Sequence, residues 1–265
     1  MKVNLKLIFG SLFVVIVVAV CLLASFWQFS RLAERKDLNA KIESRMNLDP
    51  FELTGEIGGQ SSELNLNDFE YRSIQVRGSF IKEGQVIVAG RSFEGAPGFN
   101  VVTPLKLEKG EAIIYVNRGW IPQSLGDLII DNNAEKDIEP LGGYSQNREV
   151  IGMVMKNEPK RIVGSSQLNT ETQVSPRIAT DTFSVLFNKS EAQKVTNFWI
   201  QEDFQKVDGK RVVKSSPQKE IFPKQIPKPE LNERNHFSYA LQWLSFALVA
   251  IITWIVILKK QKRAR

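Results

Sequence analysis

The stretch Asn235–Trp243, which reads NHFSYALQW, opens the second of two long apolar segments and contains the only histidine of the chain, His236. The uncharged run that follows, Phe237–Leu258, is about 22 residues long, and about 20 apolar residues are enough to cross a membrane as a helix. We therefore predict a transmembrane helix over residues 236–258. Residues three or four positions apart share one face of a helix, so one face here contains His236, Tyr239, Ala240 and Trp243. The polar end of this face is predicted to lie at a membrane surface.

The other long apolar segment lies near the beginning of the chain. Leu7–Ser30 contains no charged residue and is bounded by Lys6 and Arg31. At about 24 residues it is longer than the apolar part of a usual signal peptide, and it ends in bulky aromatic residues where a cleavage site needs small ones. We therefore predict an uncleaved span over residues 7–30, with a cleaved signal peptide as the alternative.

The charges beside the two spans predict their orientation. Two spans place both termini on the same side of a membrane, and the tail at residues 259–265 is rich in Lys and Arg, which accumulate on the cytoplasmic side. Residues 1–6 and 259–265 are therefore predicted to be cytoplasmic, and residues 31–235 to form a periplasmic domain. Because no transit sequence precedes the first span, the pattern favours a multi-pass protein of the bacterial inner membrane.

The composition argues against several kinds of site. The formal net charge is +6, but much of the basic excess lies in the C-terminal tail, so we expect contact with membrane lipid and not with nucleic acid. A single cysteine, Cys21, rules out a disulfide within the chain and a zinc site built from cysteines. The one histidine lies at a membrane surface, the carboxylates are scattered, and no Gly-rich phosphate loop is present. The sequence therefore predicts a protein that is not an enzyme.

The predicted domain begins with a helix that continues from the first span. Arg31–Met46 has an amphipathic helical pattern, with Leu32, Leu38 and Ile42 on one stripe. Pro50 is expected to end this helix.

Strand patterns fill most of the remaining domain. In Tyr71–Phe80, the alternation predicts that Ile74, Val76 and Phe80 are buried. Further strands are predicted at Gln85–Ala89, Val101–Leu107, Ala112–Val116, Glu149–Met155 and Asn197–Glu202. Short strands separated by Gly and Pro turns predict a mainly antiparallel β sandwich or barrel, α+β in class, between the two transmembrane helices.

Segments at the ends of these strands have signals of their own. Arg91–Phe99 is rich in Gly and Pro and is predicted as a loop, and Pro104 is expected to interrupt its strand or place it at an edge. Gly119 suits a bulge or a close backbone approach, and Pro122 is expected to end strand pairing. A polar insertion is predicted at Asp127–Tyr144, and a helix at Phe183–Lys194. An extended linker is predicted at Lys214–Pro229.

A set of short motifs follows one another along the chain. The set consists of Trp27-Gln28 with Arg31, Tyr71-Arg72, Gly78-Ser79-Phe80, Gly98, Thr103-Pro104, Val116–Pro122 and Asn235–Trp243. In this order and between two spans, the motifs resemble those of the Surfeit-locus family of cytochrome c oxidase assembly factors. The resemblance covers nearly the whole chain and is least clear around residues 127–144.

The resemblance implies a role in the assembly of a haem-copper oxidase of the aa3 type. Members of the family assist haem a insertion into the catalytic subunit, or stabilise that subunit, and the family is not established as enzymes. The partners that this implies are the catalytic subunit and the haem a synthesis machinery. The implied cofactor is haem a, held transiently.

His236 is the candidate ligand of the haem iron, because the family's histidine at the start of the second span has been considered a haem contact. Imidazole is a good iron ligand, and we expect it to be the single protein ligand. The alternative is an interfacial belt that His236 forms with Tyr239 and Trp243, which are otherwise further haem contacts. Gln28 and Gln242 are expected to pair helices or to dock a partner.

Two arginines are candidate contacts of the haem propionates. Arg118 suits a bidentate clamp on a carboxylate of the ligand; its alternatives are pairing with a carboxylate of the protein or stacking on Trp120. Arg31 suits the same role nearer the membrane, and its alternative is extension of the charged group to the membrane surface.

Two other functions stay open at this point. The first is a membrane-anchored structural or interaction module of the cell envelope, without a haem role. Polysaccharide chain-length regulators share the two-span arrangement, but they rely on long periplasmic helices, so a mostly helical domain favours this alternative. The second is a chaperone that binds the oxidase subunit without contacting haem, which differs from the family expectation only at His236.

Overall fold

The computed structural model describes residues 5–53, 66–109, 112–132, 147–160, 162, 164–207, 210–211, 222–229, 231 and 234–263. The chain forms two compact units, a helical unit (Met1–Glu43 with Pro229–Arg265) and a sheet unit (Ser44–Lys228). The helices are α1 (Leu5–Met46), α2 (Leu66–Phe69), α3 (Gln123–Asn132), α4 (Thr180–Phe183), α5 (Lys189–Ala192) and α6 (Arg234–Arg263). The strands are β1 (Phe51–Glu52), β2 (Ser73–Phe80), β3 (Val86–Phe93), β4 (Ala96–Leu107), β5 (Ile113–Pro122), β6 (Arg148–Lys156), β7 (Val174–Ser175), β8 (Val195–Val207) and β9 (Lys210–Arg211).

Helices α1 and α6 are both long and apolar enough to cross a membrane. Only 6% of the most apolar window of each helix is buried, and most of their large apolar side chains are exposed. This exposure is typical of helices that face lipid and are anchored in a membrane. The described residues contain two such helices, in agreement with the two predicted spans. This number corresponds to a two-pass protein, so the prediction of a multi-pass protein is corrected to two-pass.

The predicted first span and the predicted amphipathic helix form one continuous helix of 42 residues in α1. No Gly or Pro lies between them, so nothing in the sequence ends the helix at the predicted membrane boundary. At 1.5 Å per residue, α1 is about 63 Å long, roughly twice the thickness of a hydrocarbon core. Leu32 and Ile42, two members of the predicted stripe, are buried.

In the helical unit, α1 and α6 run antiparallel. Trp254 Nε1 donates a hydrogen bond to Ser11 Oγ (3.2 Å), and Ser25 Oγ donates to the carbonyl oxygen of Ala240 (3.1 Å). Small residues let helix backbones approach closely within a membrane. The buried residues along the two helices include four small ones, Cys21, Ser25, Ala240 and Ala247.

The sheet unit is a barrel with additional strands at its margins. The strand order is β1-β2-β6-β8-β5-β4-β3-β7, β9 pairs with β8, and an additional ladder joins β2 to β4. That ladder closes a ring of five strands, β2, β6, β8, β5 and β4. The prediction of a barrel-like α+β domain is therefore supported.

The sheet is mixed, and the prediction of a mainly antiparallel sheet needs correction. The pairs β1–β2, β3–β7 and β5–β8 are parallel, whereas the other ladders are antiparallel. The parallel pair inside the ring arises because β8 follows a long connection from β6 and enters between β6 and β5. Local alternation predicts that a segment is a strand but contains no information about the direction of its neighbour.

Alternation along the five ring strands separates the barrel interior from its outer wall. The interior cluster contains side chains from all five, among them Ile74, Leu105, Ile114, Val154 and Ile200. On the outside, a second cluster includes residues of β3 and β5 packed against Ile178 and Phe183. Strand β5 is therefore buried on both faces, which explains why its sequence is the most apolar of the domain.

Two predictions about β4 are wrong. Residues predicted as a loop form a hairpin instead, in which β3 and β4 pair as far as Phe93 with Ala96, and the turn is made by Glu94 and Gly95, both with positive φ. Pro104 does not interrupt β4. Its carbonyl accepts a hydrogen bond from Ile81 N on the edge away from β5, so the missing N–H of proline costs no bond in the β4–β5 ladder.

The remaining predictions about connections differ in outcome. The polar insertion begins with α3, and its residues 133–144 lie outside the described residues. The predicted helix at Phe183–Lys194 is replaced by short pieces: the end of α4, a 3₁₀ turn at Ser184–Leu186 and α5. Of the predicted linker, residues 222–229 are described, and Lys224 forms an antiparallel bridge with Trp120.

The alternative of an envelope module with long helices in the domain is not favoured by this architecture. Beyond α1, the longest described helix of the sheet unit is α3, with ten residues. The rest of the described sheet unit is dominated by strands.

Gly119 is both a bulge residue and a site of close backbone approach, as predicted. The β4–β5 register passes from Val101 opposite Gly119 to Val102 opposite Asn117, which leaves one extra residue on β5. The φ angle of Gly119 is +133°, and a Cβ atom there would collide with the carbonyl group of Lys224.

We expect Gly119→Ala to lower the free energy of unfolding by about 3 kcal/mol, because it adds backbone strain and a steric clash. Gly95→Ala is the matched control, since Gly95 also has a positive φ but a Cβ atom there meets open space; its cost should be about 1 kcal/mol. Urea unfolding of the detergent-purified chain, followed by tryptophan fluorescence, compares the two. Equal losses would contradict the close approach.

Candidate functional site

The only histidine of the chain lies in the first turn of α6 and contacts α1. His236 Nδ1 is 3.0 Å from Gln28 Oε1, and the two residues are 208 positions apart in the sequence. His236 and Gln28 are both half-buried. Gln28 therefore pairs helices, as predicted, and its partner is the candidate iron ligand.

The chemistry of this contact assigns the proton on the imidazole. The amide oxygen of Gln28 can only accept a hydrogen bond, so Nδ1 of a neutral His236 ring must be the donor. The other ring nitrogen, Nε2, then has the lone pair that a metal ion requires. Among the described residues, no hydrogen bond to His236 Nε2 is present. The ring therefore has one nitrogen, Nε2, that can serve as a metal ligand.

The predicted helix face around His236 is only partly packed against α1. Ala240 is fully buried, and Trp243 is half-buried with its ring 5.9 Å from that of Phe246 in an edge-to-face arrangement. Tyr239 is 53% exposed and lies at the margin of the face. An exposed tyrosine beside a half-buried tryptophan is also typical of an interfacial belt, so the predicted haem contacts of Tyr239 and Trp243 stay predictions.

Arg31 lies on α1, three residues after Gln28, and is half exposed. Its guanidinium forms an ion pair with Glu34 (2.7 Å) and lies 5.7 Å from the ring centroid of Trp27. Such an exposed ion pair contributes little to stability and can exchange its partner. The cation is therefore accessible near the imidazole-bearing turn of the same unit.

Arg118 belongs to the sheet unit and lies inside the barrel. It continues the inward-facing alternation of Ile114 and Val116, is 3% exposed, and places its guanidinium 4.5 Å from the centroid of the Phe80 ring. The predicted stacking on an aromatic ring is present, but on Phe80 and not on Trp120. The predicted contact of Arg118 with a propionate stays a prediction.

Two further charged residues lie in the same interior, and the sequence analysis did not single them out. Arg148 is 1% exposed and is 5.9 Å from the Phe80 ring centroid, and Glu202 is 1% exposed. Both occupy positions of inward-facing parity, Arg148 two residues before Val150 and Glu202 two residues after Ile200. That parity is the signal in the sequence that would have identified them.

The neighbours of Arg118 shape the end of β5. Asn117 Nδ2 donates to Gln201 Oε1 (3.0 Å), and Asn117 Oδ1 accepts from Gly119 N (3.2 Å). Trp120 packs against Phe93 with a ring separation of 5.5 Å. The motif that begins at Asn117 therefore stabilises a bulge and an aromatic cluster within the sheet unit.

The described residues contain no group of three or more His, Cys, Asp or Glu side chains arranged to hold a metal ion. The candidate donor in the described part of the chain is therefore the single imidazole of His236. A single imidazole nitrogen is a donor that haem iron accepts.

The fold and this site define an α+β protein in which a closed, mixed sheet lies in the sequence between two apolar helices that are long enough to cross a membrane. The sequence model of the SURF1 family matches residues 15–248, so the chain belongs to that family. The resemblance to the Surfeit-locus family that the motifs predict is thereby confirmed.

Individual relatives match at low to moderate identity. A SURF1-like protein of Dictyostelium discoideum is 31% identical over 138 residues, which cover 47% of this chain and 50% of the relative. A SURF1-like protein of Rickettsia felis is 21% identical over 252 residues, covering 93% of this chain and 95% of the relative. The yeast cytochrome oxidase assembly protein SHY1, from Saccharomyces cerevisiae, is 21% identical over 305 residues, covering 97% of this chain and 77% of the relative.

We expect Arg118→Ala to lower the free energy of unfolding by about 3 kcal/mol, because it removes a buried side chain stacked on Phe80 and leaves a cavity. Arg77→Ala is the control, since Arg77 pairs with Glu149 at the surface (3.2 Å, Arg77 side chain 54% exposed) and should contribute less than about 1 kcal/mol. Urea unfolding of the full chain in detergent measures both. A loss for Arg118→Ala as small as that of the control would argue against its interior position.

Proposed function

We propose that this protein assists the assembly of a cytochrome oxidase in its own membrane. The observation that carries the proposal is the match of the SURF1 family to residues 15–248, which include most of the first apolar helix, the first half of the second and the whole sheet unit. The yeast relative that aligns with 97% of this chain is named a cytochrome oxidase assembly protein. Sequence similarity over this length supports a shared task more strongly than a match to one segment.

The proposal includes an arrangement in the bacterial inner membrane. Helices α1 and α6 cross the membrane, both termini are cytoplasmic, and the sheet unit is periplasmic, where it contacts the catalytic subunit of the oxidase. The basic C-terminal tail supports this orientation. The described sheet unit contains no cysteine, which suits an oxidising compartment.

The proposal further assigns haem a as a transient ligand of His236. In that assignment Nε2 of His236 would hold the haem iron, and Arg31, on the same unit, would contact a propionate in place of its ion pair with Glu34. Bound haem a supplies a redox-active iron that is destined for the oxidase; the residues of this chain only hold and release it. One protein ligand suits release, because a second strong donor would slow transfer to the subunit. The protein acts in this proposal without enzymatic activity.

We expect deletion of the gene to lower haem a content and oxidase activity in membranes several-fold, and the wild-type gene to restore both. The His236→Ala variant should be present in the membrane at the wild-type level, but it should not restore haem a content or oxidase activity. Ser245→Ala is the control, because Ser245 is an exposed polar residue on the same helix whose hydroxyl donates to the carbonyl of Leu241 within α6 (2.9 Å).

The outcomes of this complementation separate the alternatives. An unchanged oxidase after deletion would contradict the assembly role. An oxidase that depends on the gene but is fully restored by His236→Ala would remove the haem contact and leave a chaperone of the oxidase subunit.

The membrane arrangement has its own test with single cysteines in a Cys21→Ser background. Ser92, exposed on β3, and Lys260, exposed near the end of α6, are changed one at a time to cysteine. A maleimide that does not cross the inner membrane should label Ser92→Cys in intact cells and Lys260→Cys only after lysis. The opposite labelling pattern would invert the proposed topology.

A further inference from the structure

The contact between Gln28 and His236 has a consequence for the chemistry of the imidazole. We propose that Gln28 is a positioning residue: by holding the Nδ1 proton of His236, it selects the ring tautomer whose Nε2 has the lone pair. The tautomer follows from the contact itself. The role of this tautomer in binding haem iron adds detail to the assembly role proposed above and rests on that role.

This tautomer is the less common one in the absence of a partner. A neutral imidazole free in water favours the proton on Nε2, which would block that nitrogen as a metal ligand. An acceptor-only group at Nδ1 reverses the preference, and one hydrogen bond in a half-buried, weakly polar setting changes the ratio of the tautomers by about tenfold. The amide oxygen of Gln28, 3.0 Å from Nδ1, is such a group.

Gln28 lies between two buried residues on one face of α1. Ser25, one turn earlier on the same face of α1, is buried and donates to the carbonyl of Ala240, one turn after His236 on α6. Leu32, one turn later, is also buried. The amide therefore lies on a packed seam and loses little additional side-chain freedom when it binds the ring.

A hydrogen-bond acceptor behind a ligating histidine acts on the metal as well as on the ring. It fixes the ring plane and makes the ligating nitrogen more basic. A more basic axial ligand stabilises ferric iron relative to ferrous iron, so the strength of the acceptor at position 28 should set the reduction potential of a bound haem.

Because the chain contains a single histidine, the tautomer can be read directly. The full chain is labelled with ¹⁵N-histidine and purified in detergent, and its two ring nitrogens are observed by NMR at about pH 8. The wild type should show the proton on Nδ1. Gln28→Leu, which is similar in size but has no acceptor, should shift the population to the Nε2–H form by about tenfold.

Two further variants separate positioning from helix packing. Gln28→Glu should keep the Nδ1–H tautomer, because a carboxylate is also an acceptor. Ser25→Ala removes a cross-helix hydrogen bond without touching the ring and should leave the tautomer unchanged. The proposal would be overturned by a wild-type ring protonated on Nε2, or by the same tautomer in wild type and Gln28→Leu. It would also be overturned if Ser25→Ala, and not Gln28→Leu, lost the Nδ1–H tautomer.

Titration of the same proteins with haemin gives the second readout, the reduction potential of the bound iron. We expect Gln28→Leu to raise the potential and Gln28→Glu to lower it, with Ser25→Ala at the wild-type value. Bound haem with equal potentials in all Gln28 variants would contradict the positioning role toward iron. If no variant binds haem while the tautomers follow Gln28 as expected, the proposed haem contact falls and the positioning of the ring stands.

Discussion

The ladder between β2 and β4 is the constraint on which the sheet unit depends. It joins residues 78–80 to residues 105–107 and turns an open sheet into a ring of five strands. The approach is so close that a Cβ atom at position 78 would collide with the backbone carbonyl of Lys106, so glycine is required there. Phe80, two residues further, points into the interior that this closure creates.

Closure also explains why charged side chains lie inside the sheet unit. Once the ring has an interior, the alternation of β5, β6 and β8 places Arg118, Arg148 and Glu202 within it at the ends of their apolar runs. Burial of charges costs free energy unless they find compensating partners, and both guanidiniums lie over the face of Phe80. The ring of Phe80 thus lies between the apolar part of the interior and its charged part.

The helical unit obeys a different constraint. In lipid, each span satisfies its own backbone hydrogen bonds, and polar side chains seek partners on a neighbouring helix. Ser11 with Trp254, Ser25 with Ala240, and Gln28 with His236 follow one another along the antiparallel pair and together define its register. A slip by one helical turn, about 5.4 Å, would separate the imidazole from its acceptor. The helix register therefore controls the chemistry of the histidine.

Local patterns in the sequence were enough to predict much of this protein. Apolar length predicted both long helices, alternation predicted β2, other strand patterns predicted the cores of β5, β6 and β8, and Gly119 predicted a bulge. The same patterns failed at Pro104, because the effect of a missing N–H depends on which edge of the strand faces a partner. They also failed for strand direction and for the ring of strands, which arise from pairing between distant segments. The sequence by itself thus determined the two long helices, the cores of the five ring strands and the place of His236 at the start of the second long helix. Only the tertiary structure decided that β2 meets β4, that Arg118 stacks on Phe80, and that His236 meets Gln28, because these contacts join residues tens to hundreds of positions apart, and local periodicity contains no information about them.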